Sequence, residues 1–417
     1  MPLPRPLRLA AGAALSLLSA CTSNSPPVTV SGMAIGNDLQ PVAGAQVQLT
    51  SGSFSVTATT DAAGGFSASA VPVPYDAMLV VPALAEVTLY QGLTRPDPTL
   101  VSLGSSVATH PAATVGGTIS GGSALPLPAN ARTRVTFGSA EGGGVANADG
   151  ATGAYQVGPS WWGSSSTTGT LYALQWQYDA AGLPQSYTGF ASRTGVTLAD
   201  GASLTGQDLT LAPVSSGQLS GSVTPPSGYT PNNRRFLLVF GADQGALELV
   251  REIGAANDFG FLAPAPAGAS LLLVARASAG SALSTGYQPL PTQGTGLSAT
   301  LVPAAELAAP ADGAVGVTPG TQFSWSPSPG GVSLLVVRGS STFVVVTAGA
   351  SATLPDAASL GFALPAGSVF SWYVFGVGPF SGIDAAAGRG GYLGPFIQPA
   401  AALFQTQSPA RTLTSAP

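Results

Sequence analysis

Short runs of β-branched and aromatic residues, bounded by Gly, Pro, Asn or Asp, recur roughly every ten residues along this chain, the rhythm of strands and turns. Within the runs apolar and polar positions alternate, as in Arg134-Val135-Thr136-Phe137, so successive side chains point to opposite faces of a sheet. Capped stretches with the 3.6-residue period of an amphipathic helix are hard to find. The pattern predicts an all-β chain.

Three segments repeat one order of events. The first opens with Val30-Ser31-Gly32-Met33-Ala34-Ile35, passes Pro41-Val42-Ala43-Gly44-Ala45-Gln46-Val47-Gln48-Leu49 and reaches Thr60-Asp61-Ala62-Ala63-Gly64-Gly65-Phe66. The second opens with Val115-Gly116-Gly117-Thr118-Ile119, passes Arg134 to Phe137 and reaches Asn147-Ala148-Asp149-Gly150 and then Tyr155. The third opens with Leu219-Ser220-Gly221-Ser222-Val223, passes Phe236 to Phe240 and reaches Asn257-Asp258-Phe259-Gly260-Phe261. Gly32 to Phe66, Gly117 to Tyr155 and Gly221 to Phe261 are similar intervals, which predicts one unit used three times.

The first segment resembles the carboxypeptidase regulatory-like domain, a transthyretin-like sandwich, through its V-x-G, P-V-x-G-A-x-V-x-L and T-D-x-x-G-x-F elements. The second and third keep the opening strand and the hairpin but lose the middle motif. A fourth segment differs: Pro310 to Ala314, Phe323-Ser324-Trp325-Ser326 and Phe370-Ser371-Trp372-Tyr373-Val374 resemble a fibronectin type III-like sandwich. That resemblance implies one tryptophan buried on an early strand and an aromatic-x-Trp-x-Val strand opposite. The fold class is therefore all-β, a tandem array of Ig-like/transthyretin-like β-sandwich domains. The expected boundaries are 28–110, 111–216, 217–304 and 305–399, followed by a disordered tail over 400–417.

The residues before the first unit follow another pattern. Met1 to Arg8 carries two arginines and no acid, and Leu9 to Ala20 is an uncharged run of secretory h-region length. It falls short of the roughly 20 apolar residues that span a bilayer. Leu18-Ser19-Ala20-Cys21 resembles the lipobox of bacterial lipoproteins, which implies cleavage before Cys21 and acylation of its thiol with palmitate-like chains. An ordinary signal peptide is the plainer alternative, yet Cys21 is the only cysteine of 417 residues. The expectation is a 1–21 signal and lipobox, a 22–27 tether, and a membrane partner reached through acylated Cys21 in the bacterial cell envelope. Thr22 after the cysteine fits the outer membrane.

Composition narrows the function. A chain of 417 residues exceeds what one core serves. Charged residues make up 7% of the total, with 18 acids against 13 basic residues and a net charge of −5. That balance predicts no basic patch for nucleic acid or anionic lipid. Mean hydropathy is positive, but it arises from Ala and Val scattered among 55 Gly and 36 Pro, which break every candidate transmembrane helix.

Candidate chemistry is sparse. His110, the only histidine, precedes Pro111 in a linker, a poor place for the imidazole of a catalytic triad. Asp61, Asp149, Asp258 and Asp312 each stand shortly before a glycine and read as turn caps. Glu248 and Glu252 could form a glycosidase pair, but Glu248-Leu249-Val250-Arg251-Glu252 reads as a strand. Calcium at Asn147-Ala148-Asp149-Gly150 would have too few oxygens. Trp161, Trp162, Tyr172, Trp176 and Tyr178 could form a flat stacking surface for sugars, but Trp176 and Tyr178 share one strand face with Tyr172 and Leu174, so some of these are core. Trp161 and Trp162, between Pro159 and a Gly/Ser loop, are the candidate ligand-contact residues.

No catalytic residue, metal site or cofactor is expected. The sequence points to a lipid-anchored rod of sandwiches with a structural or interaction role towards an envelope protein or glycan. The alternative is a carbohydrate-binding surface lipoprotein with Trp161 and Trp162 as platform.

Overall fold

The computed structural model describes residues 26–104, 110–241, 245–397 and 399–417. Cys21 and the signal segment lie outside them. Unit one comprises β1 (Val28–Ile35), β2 (Gln46–Ser51), β3 (Phe54–Thr59), β4 (Gly65–Val71), β5 (Tyr75–Val81), β6 (Glu86–Leu93) and β7 (Thr99–Val101). Unit two follows with β8 (Thr114–Gly121), β9 (Ala131–Gly138), β10 (Gly142–Asn147), β11 (Ala154–Val157), β12 (Ser160–Trp161), β13 (Ser166–Tyr178), β14 (Pro184–Ala199), β15 (Ser203–Leu204) and β16 (Leu209–Leu211).

Unit three comprises β17 (Ser216–Thr224), β18 (Thr230–Val239), β19 (Ala246–Ile253), β20 (Asp258–Pro264), β21 (Ser270–Ala279), β22 (Ala282–Leu290) and β23 (Gly294–Thr300). Unit four holds β24 (Leu307–Ala309), β25 (Ala314–Val317), β26 (Gln322–Trp325), β27 (Val332–Arg338), β28 (Thr342–Thr347), β29 (Ser351–Thr353) and β30 (Val369–Gly378). After β30 come the short helices α1 (Ile383–Ala386) and α2 (Gly394–Ile397), then β31 (Leu403–Gln407) and β32 (Arg411–Ser415). The chain is all-β and built of sandwiches.

Units one to three share one topology. Their small sheets run β4-β1-β7, β11-β8-β15 and β20-β17-β23, and the facing strands run β3-β2-β5-β6, β10-β9-β13-β14 and β19-β18-β21-β22. Each opening strand pairs antiparallel with the strand after the hairpin and parallel with strands at the end of its unit, β7 in unit one, β15 and then β16 in unit two, and β23 in unit three. The register explains the repeated glycine and aromatic. Phe66 lies opposite Gly32, and a side chain on Gly32 would run into its ring. Tyr155 lies opposite Gly117. In unit three the partner of Gly221 is Phe259, not Phe261, which pairs with Leu219.

Two main-chain seams join units that are distant in sequence. Strand β28 pairs in parallel with β6, from Thr342 opposite Glu86 to Val346 opposite Tyr90. Strand β31 lies between β30 and β22, pairing Phe404 with both Gly378 and Gly286. One 14-stranded sheet therefore crosses units three, four and one. A rod in which only sequence neighbours touch is not what forms.

The expected disordered tail over 400–417 is also corrected. Strands β31 and β32 complete the fourth sandwich, with Leu413 buried against its core. An unpaired edge beside β30 would leave main-chain donors and acceptors without partners.

Strands at the β28–β6 seam are buried on both faces. Leu334, Val336, Val344 and Val346 pack with Val47, Leu79 and Tyr90 of unit one, while Leu335, Val337, Phe343 and Val345 pack with Phe323 and Trp325. Burial of both faces explains why these strands read as continuous apolar runs. Phe323 meets Trp372 edge-to-face at 5.1 Å between ring centroids. The connection from β30 to β31 adds a clamp: its Ala386, Ala387 and Tyr392 enter the core of unit one. Its Asp384 accepts hydrogen bonds from the Thr94 and Arg95 amides at 2.8 and 3.1 Å.

Candidate functional site

The residues singled out by sequence are scattered. Trp161 is 1% exposed in the core of unit two, and its indole N–H donates to the Ser164 carbonyl at 2.9 Å. Its faces are covered, so it cannot serve as a platform. Pairing of Trp161 with Gly142 turns the side chain inward, because neighbouring strand residues point to opposite faces. Trp162 is half-buried and packs edge-on against His110, ring centroids 3.8 Å apart. The imidazole thus lies against an indole at the entry to unit two.

The carboxylates are engaged in holding backbone. Asp149 accepts from the Ala151 and Thr152 amides at 2.9 and 2.7 Å, and these bonds, led by the Thr152 amide, hold its carboxyl below the usual range. Asp61 accepts similarly from Ala63 and Gly65. Asp312 differs from the expected turn cap: it reaches Thr412 in β32, accepting from its amide at 2.7 Å and its hydroxyl at 2.8 Å. Asp258 begins β20. Among the described residues no group of three or more His, Cys, Asp or Glu side chains is placed to hold a metal ion.

Glu248 and Glu252 both stand on β19 but serve different ion pairs. Glu252 meets Arg234 at 2.9 Å. Burial raises its carboxyl, with Arg234 acting in the opposite direction. Glu248 accepts from Arg235 at 2.6 Å and Arg251 at 3.2 Å through the same oxygen. Partial burial raises its carboxyl, but the bonds and charges of Arg235 and Arg251 outweigh that and leave it below the usual range.

These ion pairs border a cleft over the outer face of unit three. Strand alternation directs Phe236 and Leu238 into the core and Arg235 and Leu237 outward. The floor combines Asn233, Arg235, Leu237 and Val239 of β18 with Arg251 of β19, Leu272, Val274 and Arg276 of β21, and Thr285 and Tyr287 of β22. Ser139 and Ala140 at the β9–β10 turn of unit two form one wall, and Phe396 and Pro399 of unit four form the other. Phe396 meets Tyr287 edge-to-face at 5.1 Å. The Tyr287 hydroxyl donates to Gln405 of the seam strand β31 at 3.1 Å.

This cavity of about 480 Å3 adjoins a second of about 580 Å3, with Arg235, Leu237, Ala246 and Arg251 lining both. The second extends to Arg134, Thr136 and Asn147 of unit two. The units approach closely here: Gly245, at φ +68°, lies against Gly138, and any side chain on it would strike that backbone. Arg134 donates to the Glu248 carbonyl at 2.7 Å. Burial, followed by the nearby Arg132 charge, lowers its guanidinium from the ordinary value. Among the described residues four arginines and one acid, Glu248, line the two cavities.

Among the described residues, arginines outnumber acids along this cleft. Net charge counts residues and says nothing of where they gather. The signal was the placement of Arg235 and Arg276 at outward positions of alternating strands.

Unit two also covers unit three by its side chains. Of the strand face expected to be partly core, Tyr172, Leu174 and Trp176 are buried and join a cluster with Phe236, Leu249 and Phe261 across the two units. Tyr172 stacks on Phe240 at 4.2 Å.

No protein-family model matches the chain, and no curated protein matches it. Solved structures give loose resemblances. The Bacillus anthracis TIE protein is 12% identical with a TM-score of 0.17, over 66% of this chain and 50% of that one, so this chain spans half the length of that structure. A Ca2+-stabilized adhesin that helps an Antarctic bacterium reach out and bind ice is 12% identical with a TM-score of 0.15, over 94% and 99%. BcpA, the major pilin subunit of Bacillus cereus, appears as a D312A variant at 8% identity and a TM-score of 0.15, over 66% and 99%. Superpositions this loose carry no argument about function.

Proposed function

We propose that this is an exported, lipid-anchored, non-catalytic protein of the bacterial envelope, with the arginine-lined cleft as its recognition face. The observation that carries the reading is convergence: units two, three and four each supply part of one cleft, and the long sheet fixes units three and four to each other. The lipobox-like run ending at Cys21 supports the anchor, since two or more acyl chains hold a protein stably at a membrane. Among the described residues no helix is long and apolar enough to cross one. The carboxypeptidase regulatory-like reading of unit one, with units two and three as relatives, is supported by their common strand order. The fibronectin type III-like reading of unit four is supported by its Phe323–Trp372 core. A sugar platform at Trp161 and Trp162 is left without support.

Two measurements test the proposal. Cys21→Ser should move the protein from the membrane to the soluble fraction, and retention after a salt wash would overturn the anchor. A photocrosslinking residue at Ala140, on the cleft wall, should capture a defined partner in living cells. The same residue at exposed Thr57 on β3 should not, and identical capture from both positions would overturn the cleft as recognition face.

A further inference from the structure

We infer that the cleft binds an acidic polysaccharide, whose sugar carboxylates are held by Arg235, Arg251 and Arg276. The inference rests on the cleft being the recognition face and adds the chemistry of what it recognises.

The first argument is an arrangement that a merely structural surface has reason to avoid. Arg235 stands directly opposite Arg251 on the neighbouring strand, and Arg276 lies diagonally across the other side, opposite Asn233. Like charges directly opposite on a sheet are destabilising. Among the described residues one carboxylate answers them: Arg235 and Arg251 share a single oxygen of Glu248, and their other guanidinium donors meet no side-chain partner there. Arg276 is exposed and makes no side-chain hydrogen bond or ion pair among the described residues. In a chain with 18 acids against 13 basic residues, three arginines gather on one sheet face around a single described carboxylate.

The second argument concerns which anion fits. A guanidinium presents a planar fork that matches a carboxylate with two parallel hydrogen bonds. Beside the arginines, Val274 pairs with both Arg235 and Tyr287, and Leu237 lines the same cleft, apolar surface that a small inorganic ion would not use and a sugar ring would. The two adjoining cavities make the groove longer than one sugar. An acidic peptide fits less well. The floor is the face of a sheet whose main chain is already paired strand to strand, so it offers none of the backbone partners by which extended peptides add to a sheet.

The test uses the full-length lipoprotein in uncharged detergent micelles with polygalacturonate as probe. Binding is expected to weaken as salt rises. Arg276→Glu should weaken it about tenfold or more, as loss of a close charge pair implies, and Arg251→Glu should also weaken it. Arg338→Glu, the same charge change at an exposed site on β27, should leave binding unchanged, and thermal melts verify that each variant folds. Carboxyl-reduced polymer should not bind. Equal affinity for the reduced polymer, for polyglutamate or for an oligonucleotide would overturn the inference, as would full binding by Arg276→Glu. Failure of capture at Ala140 would remove the recognition face and this inference with it. Capture retained without affinity for polygalacturonate would remove the ligand alone.

Discussion

Units one, four and three are joined through their main chains, whereas unit two is fastened to unit three through side chains. At the first kind of seam β28 adds to β6 and β31 adds to β22, each in a fixed register. At the second, Tyr172 stacks on Phe240, the Tyr187 hydroxyl donates to the Leu262 carbonyl at 3.0 Å, and Arg134 donates to the Glu248 carbonyl. Main-chain pairing satisfies edge groups that would otherwise solicit other chains. Side-chain fastening depends on a few large residues, so single substitutions can undo it. The cleft needs both: one seam sets its unit four wall and the other sets its unit two wall.

Ending the chain at Ala402 should produce the largest effect. It removes β31 and β32, taking Leu403, Phe404 and Leu413 out of buried positions, where each such side chain contributes about 1.5–3 kcal/mol. Unit four also loses its bond to unit three. The sum approaches the roughly 5–15 kcal/mol of net stability typical of a domain. Limited proteolysis should open unit four first, while the β8–β16 core of unit two stays resistant. An unchanged melting curve would mean that the main-chain seam contributes little and that the contrast with unit two is false.

A smaller effect is expected at the side-chain seam. Tyr172 is 1% exposed, and truncating a buried aromatic to alanine costs about 3–5 kcal/mol. Tyr172→Ala should increase hydrogen exchange in β13 and β18 and leave β27 and β28 protected. Spread of the effect into β27 would show that the two seams form one cooperative unit.

Much of this architecture was legible in the chain. Period-two alternation revealed the strands, and the recurring glycine and aromatic marked pairs that the register brings together, as in Gly32 with Phe66. The same period, applied to two residues, would have turned Trp161 inward and left Trp162 at the surface. The seams were harder to see. Val332 to Val337 and Phe343 to Val346 are unbroken except for Ser333, which signals burial on both faces without naming the second partner. Leu403 to Gln407 and Arg411 to Ser415 are short and mostly polar, so they read as tail. Their stability comes from neighbouring strands, not from a core of their own. The cleft was hidden because its arginines are separated in sequence and meet only after β18, β19 and β21 pair.

The smallest effect separates the two regions by acid. The Thr412 amide, then its hydroxyl, holds the Asp312 carboxyl below its ordinary range. The folded chain therefore keeps this group ionised to lower pH than the unfolded chain does. Its contribution is present above the unfolded carboxylate range and is lost as pH falls through the folded value. Asp208 holds Thr118 in the same way within unit two, at 2.8 Å to both amide and hydroxyl, and its carboxyl is likewise lowered, first by the Thr118 hydroxyl. Acidification should thus loosen both threonine amides. Only the loss at Thr412 should reach the long sheet, because β32 pairs with β30 there. Exchange at Phe370 and Trp372 should therefore rise with acid in the native chain, and in Asp312→Asn it should be raised already at neutral pH with little further dependence. Asp208→Asn should leave exchange at β30 unchanged, and a rise there would mean that unit two is tied into the long sheet more tightly than its side-chain seam implies.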